Sequence, residues 1–223
     1  MKHPYTSALI LAAGSSRRMQ GIDKMMLMVG GKTVLEHTLA RFSASQTVDE
    51  IVVVCSPAIR DFAQTLSIPK KHSILLGGKT RQQSVCAGMR AVSAQAQFVA
   101  IHDGARPFVS PELIDRVAEA AYACGGAIPG LPVSDTVKRV DGQKTVQETL
   151  DRTSLVFVQT PQIFSREKFQ AFLLAAQGDY TDDSQLFEQN GEAVCVVPGE
   201  DTNVKITTPA DAAFAEELFR RLS

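Results

Sequence analysis

The chain has 223 residues, 44% of them hydrophobic, and 23 Lys and Arg against 24 Asp and Glu give a formal charge of −1. That is enough apolar sequence for one sizeable core, predicting a single domain over 1–223; the balanced charge and pI near 6.4 exclude a global field for nucleic acid, so a phosphate ligand needs a local cluster of cations. No apolar run approaches the ~20 residues of a membrane span, Met1-Lys2-His3-Pro4-Tyr5 carries no signal pattern, and Cys55, Cys86, Cys124 and Cys195 lie far apart with no C-x-x-C spacing, so reduced core thiols in a cytoplasmic protein are expected, with neither zinc nor disulfides.

The first predicted strand, Ala8–Ala12, breaks at Gly14 into a polar loop, Ser15-Ser16-Arg17-Arg18-Met19, with Lys24 just beyond. Backbone N–H groups and cations at a strand's end suit phosphate. The loop matches neither G-x-G-x-x-G nor G-x-x-x-x-G-K-[ST]; the weaker alternative is that its basic residues are ordinary solvated charges. Leu35, Leu39 and Phe42 recur at helical spacing, strands follow at Ile51–Cys55 and Ser73–Leu76, and Gly77-Gly78 opens another loop. The strand Phe98–His102 ends in Asp103-Gly104-Ala105-Arg106. There Asp103 can accept hydroxyl or metal-bound-water contacts and Arg106 can fork onto phosphate, or the two can simply pair. His102, with no second His or Cys nearby, reads as a packed strand residue.

Ser110-Pro111 and Thr208-Pro209 each place a capping hydroxyl before a proline suited to the first helical position. Between these starts come strands at Gly126–Ile128, Val156–Gln159 and Ala193–Val197, and a helix through Phe169, Phe172 and Leu173. The fold class is α/β: a mostly parallel twisted sheet flanked by helices, with ligand loops at Gly14, Gly77-Gly78 and Asp103 gathered at the strands' carboxyl ends. One stretch departs from the alternation. About 134–155, centred on Asp141-Gly142, reads as a hairpin on a two-residue turn that buries little apolar surface, an arm ordered by a second copy of the chain or a free surface hairpin.

Read together and in order, Ala12-Ala13-Gly14…Arg18-Met19…Lys24, Gly77 to Val85, His102 to Pro107, Asp135-Thr136-Val137-Lys138, Arg152, Gln159-Thr160-Pro161-Gln162, Thr181-Asp182-Asp183 and Asn203 to Thr207 resemble the 2-C-methyl-D-erythritol 4-phosphate cytidylyltransferases across nearly the whole chain. The resemblance implies a Rossmann-like nucleotidyltransferase fold with a β-arm interlocking a homodimer. It implies transfer of CMP from CTP to methylerythritol phosphate in non-mevalonate isoprenoid biosynthesis, with Mg²⁺ held mainly by the CTP phosphates. Ala12, Ala13, Gly14 and Ser15 would wrap the triphosphate, Gly78 and Ser84 would lie near the cytosine, and Arg18 and Lys24 would stabilise the transition state. Asp103, Arg106, Thr136, Thr160 and Thr181 would hold the sugar phosphate, and Arg152 and Lys205 would position its phosphate, Thr136 and Arg152 arriving from the partner's arm.

Two positions depart from the common pattern: Ser16 stands where many members have glycine, and Asp23, a candidate ion-pair partner for Lys24, where a proline is usual. Taken alone, Lys205 also reads as an outward residue of an edge strand, and Asp182 and Asp183 as a helix N-terminus signal. The competing functions are a ribitol-5-phosphate cytidylyltransferase, which differs mainly in the sugar pocket, a molybdopterin-cofactor nucleotidyltransferase, and a nucleotide-binding regulator without turnover. Nothing before Ser223 predicts a fused second enzyme.

Overall fold

Alternation along Thr6–Ala12, the central strand β1, sends Ala8, Ile10 and Ala12 into one core and Leu9 into the other. The computed structural model describes residues 3–14, 23–178 and 180–222. The short strands β2 (Met28–Val29) and β3 (Lys32–Thr33) pair with each other, while β1 pairs in parallel with β4 (Glu50–Cys55) and β6 (Phe98–Asp103), and β4 with β5 (Lys71–Leu76). All six residues of β4 are buried, as a strand covered on both faces requires. Past β6 the sheet turns mixed. β11 (Gln162–Ser165) runs antiparallel between β6 and β7 (Gly126–Pro132); β10 (Val156–Val158) pairs with the far end of β7, and β12 (Cys195–Pro198) lies parallel to β7 on its other edge.

Helices cover both faces. α1 (Val34–Ala44), α2 (Pro57–Thr65) and α4 (Pro111–Cys124) press Leu35, Leu39, Phe42, Ile59, Leu113, Ile114 and Val117 onto one side. On the other, α3 (Arg81–Ala91), α5 (Arg166–Ala175) and α6 (Ser184–Gln189) contribute Val85, Met89, Phe169, Leu173 and Phe187. Each such side chain adds about 1.5–3 kcal/mol by leaving water. The predicted helix starts hold: Ser110 Oγ accepts the Leu113 N–H at 2.9 Å, and Thr208 Oγ1, before α7 (Pro209–Leu222), accepts that of Asp211 at 3.3 Å. α4 ends on Gly125 at φ 88°, a left-handed stop open to glycine. Among the described residues no helix is long and apolar enough to cross a membrane.

The predicted hairpin is present as β8 (Lys138–Val140) and β9 (Val146–Thr149), paired antiparallel, every residue exposed. Its turn differs from the two-residue expectation. Asp141 Oδ1 accepts the N–H groups of both Gln143 and Thr145, so the aspartate side chain holds open a five-residue connection with Lys144 at φ 63°.

The expectation of four reduced thiols is also corrected: Cys124 and Cys195 form a disulfide, while Cys55 and Cys86 are free. Cys124 closes α4 just before β7 begins, and β12 sets Cys195 opposite Ala127. Parallel pairing at a sheet edge therefore joins two cysteines far apart in sequence.

Candidate active site

Three loops converge because three parallel strands end together. Ala13 and Gly14 follow β1, Gly77 and Gly78 follow β5, and Asp103 ends β6, as the topology predicts. The approach is close: a Cβ on Gly77 would lie 2.5 Å from the Ala13 Cβ and 2.7 Å from Ser84 Oγ, so glycine is required for the two loops to meet. Ser84, in the first turn of α3, accepts the Gly78 N–H at 3.1 Å and donates to the Thr80 carbonyl at 3.0 Å. The resulting cleft has a volume of about 450 Å³, with Gly14, Lys24, Arg81, Ser84, Asp103 and Lys205 in its wall. A hollow of about 490 Å³ between Leu39 and Leu66 lies away from these strand ends and is lined mainly by small and apolar side chains.

Asp103 is the electrostatic centre. Its carboxylate lies 2.8 Å from Lys205 Nζ, 3.7 Å from Arg106 Nε and 4.0 Å from Arg81 Nε. Burial by itself would raise its pKa, but Lys205 and then Arg81 outweigh burial and hold the carboxyl well below the usual carboxylate range. Asp103 is thus a fixed anion around which three cations are gathered. Beneath it, the Asp103 N–H donates to Thr160 Oγ1 at 3.1 Å, and that hydroxyl sits 3.0 Å from His102 Nδ1. Its own proton then serves Nδ1, leaving the Nε2 proton directed at the Arg106 carbonyl 3.3 Å away. Burial pushes the His102 pKa down to about 3, so the ring stays neutral. His102 is the packed strand residue expected, and also a brace for the loop.

A family model of 2-C-methyl-D-erythritol 4-phosphate cytidylyltransferase matches residues 6–221. The protein of that name from Syntrophus aciditrophicus is 40% identical over 227 residues, 98% of this chain and 97% of the relative; that from Synechocystis is 42% identical over 228 residues, 96% and 97% of the two chains. Among solved structures, 4-diphosphocytidyl-2C-methyl-D-erythritol synthase from Anaerococcus prevotii superposes with a TM-score of 0.87 at 35% identity, over 98% of this chain and 97% of that one. The chain belongs to the 2-C-methyl-D-erythritol 4-phosphate cytidylyltransferase family.

In this cytidylyltransferase the fold brings Ala13, Gly14, Lys24, Gly78, Ser84, Asp103 and Lys205 to one cleft, with Ala12 at the end of β1. Ser15, Ser16 and Arg18 lie outside the described residues. Asp23 caps its own turn, Oδ1 accepting the Met25 N–H at 3.0 Å. Lys205 is in no strand: it follows β12 on an irregular segment clamped to the Asp103 loop by the Arg106 Nη1 bond to the Asn203 carbonyl (2.7 Å) and the Ile206 N–H bond to the Ala105 carbonyl (2.9 Å). Arg106 and Thr160 are thereby engaged inside the protein. Thr136 and Arg152 sit exposed at the base of the arm, where Arg152 Nη1 donates to the Ser134 carbonyl, and Thr181 is exposed ahead of α6.

The helix-terminus reading of Asp182 and Asp183 holds for one of them. Asp182 Oδ1 accepts the Ser184 N–H and hydroxyl, whereas Asp183 makes no cap bond and instead pairs with Arg81. Arg81 is the site residue to which the sequence reading assigned no role. Its signal was its place at the start of a helix that follows a glycine loop at a strand's carboxyl end.

Proposed function

We propose that the cleft transfers CMP from CTP to 2-C-methyl-D-erythritol 4-phosphate, giving 4-diphosphocytidyl-2-C-methyl-D-erythritol and pyrophosphate, a step of non-mevalonate isoprenoid precursor biosynthesis. The observation that carries this reading is the convergence of Lys24 and Lys205 on one cleft beside the Gly14 loop, in a chain of this family. The acceptor phosphate monoester has a second pKa near ~6, so it is largely ionised at neutral pH and needs no general base. An acceptor oxygen bonds to the α-phosphorus of CTP as the bond from that phosphorus to the bridging oxygen breaks, and pyrophosphate leaves with the electron pair. Repulsion between two anions is the main barrier, and cations placed beforehand lower it. We assign the α-phosphate charge to Lys24 and Arg18, the triphosphate to the backbone of 12–15, the cytosine to Gly78 and Ser84, and the acceptor to Asp103, Lys205 and Thr181, with Arg106 and Thr160 supporting them.

Mg²⁺ fits this site as a passenger on the triphosphate. The described residues contain no group of three or more His, Cys, Asp or Glu able to hold a metal, and Asp103, the carboxylate lining the cleft, already faces three cations. That donor set suits an ion kept by substrate phosphates and its own waters. When bound, it neutralises triphosphate charge. Both substrates are polyanions that do not cross membranes unaided, which supports a cytoplasmic enzyme.

The expected result is Mg²⁺-dependent pyrophosphate release only when CTP and methylerythritol 4-phosphate are both present. Equal turnover with ribitol 5-phosphate moves the assignment to that sugar, and no release with either leaves a nucleotide-binding protein.

We further propose a homodimer in which the arm delivers Arg152 and Thr136 to the partner's cleft. Support comes from exposed Val140, Val146 and Phe157 on the arm and on β10, an apolar display that a second copy would cover. Co-refolding Lys24→Ala with Arg152→Ala chains is then expected to restore part of the activity, since one site of each mixed dimer keeps both cations. Mixed dimers no more active than the two parents mean that Arg152 serves its own subunit.

A further inference from the structure

Arg81 is the first residue of α3, and both its terminal nitrogens donate to Asp183, Nη1 to Oδ1 at 2.7 Å and Nη2 to Oδ2 at 2.5 Å. The Asp183 side chain is 5% exposed and that of Arg81 28%. Although burial disfavours its charge, the Arg81 pKa is raised, first by these hydrogen bonds and then by the nearby carboxylates. A largely buried ion pair stabilises a fold little once desolvation is counted. What a two-pronged pair does provide is orientation, because two parallel bonds fix the guanidinium plane. With both terminal nitrogens on Asp183, the Nε edge of the same plane faces Asp103 at 4.0 Å.

The far end of the pair is anchored as firmly as the near one. Asp182, beside Asp183, accepts Gln162 Nε2 at 2.6 Å, and Gln162 Oε1 accepts the Ser184 N–H at 3.2 Å. The turn bearing Thr181 is therefore locked to β11 on one side and, through Arg81, to the glycine loop on the other. Geometrically, Arg81 spans the cleft edge between the wall assigned to the nucleotide and the wall assigned to the acceptor.

We infer that Arg81 and Asp183 form a strut that sets the acceptor wall, with Arg81 a positioning residue acting through Asp103 and the 181–183 turn and not a ligand of the triphosphate. This rests on the reaction assigned above. Loosening the strut should weaken use of the acceptor while sparing CTP binding, a split that general loss of structure does not produce.

The test compares wild type, Asp183→Asn and Arg81→Lys, using steady-state KM for methylerythritol 4-phosphate, CTP binding by calorimetry without acceptor, and thermal melting. The expected result is a rise in acceptor KM of roughly tenfold in Asp183→Asn and a smaller rise in Arg81→Lys, which keeps the cation but loses the fork, with CTP affinity within about twofold of wild type in both. Should Asp183→Asn melt below the assay temperature, Arg81→Lys carries the comparison alone. CTP affinity falling as far as acceptor use in Arg81→Lys would make Arg81 a triphosphate ligand and overturn the strut, as would an acceptor KM unmoved in every folded variant. Failure of the wild type to release pyrophosphate counts against the reaction itself and is seen before any variant is made.

Discussion

Lys24→Ala lowers kcat by about 10²-fold or more while weakening CTP binding much less, because a cation facing the reacting phosphate matters most when charge builds in the transition state. The backbone just after it is held. The Met25 N–H is taken by Asp23, the Met25 carbonyl accepts the Leu35 N–H at the start of α1, and the Met25 side chain is buried in the core. Alanine at 24 therefore removes the ammonium and leaves these Met25 contacts in place. Steady-state kinetics with both substrates varied, alongside CTP titration without acceptor, measures the two effects separately. A raised KM with kcat unchanged would reduce Lys24 to a binding contact.

Asp103→Asn costs about 3 kcal/mol of folding stability at neutral pH, since removing one charge from a buried cluster strands the others. Lys205 and Arg106 would then flank a neutral amide, while Arg81 keeps its pair with Asp183. The cost also carries a pH signature. The Asp103 pKa is lowered in the folded protein from an ordinary 3.8, so its stabilisation is fully present above that value and disappears as pH falls through the lower folded value. Urea unfolding of both proteins from pH 7 downward is therefore expected to show a constant gap that narrows only in the acid range below 3.8. A gap under about 1 kcal/mol at pH 7, the size of an exposed pair, would show that the cluster is a solvated one.

Local signals were strong in the sequence and distant ones weak. The apolar run into Gly14, the Ser110-Pro111 and Thr208-Pro209 starts and the strand ending at Asp103 are each readable within a few residues, and all appear where expected. β11 was missed because Gln162 opens it: both ends of this buried amide bond to the Asp182–Ser184 turn, a partner no periodicity reveals. The site shows the same limit. Arg106, three residues from Asp103, was legible as its partner, but Lys205 makes the shorter contact from a distant segment and Arg81 comes from the start of α3. Likewise the arm was legible from its alternation and its turn was not, because a single side-chain acceptor on Asp141 decides between two residues and five.

The Cys124–Cys195 bond has a topological result. Its two ends stand 71 positions apart, and the segment between them includes β7, the whole arm, β10, β11, α5 and α6, so the exposed hairpin lies inside a covalent hoop. Cutting the peptide bond after Lys144, at the tip of that hairpin, would yield two fragments still tied at the base of the sheet, which denaturant would part only once a reductant opens the hoop.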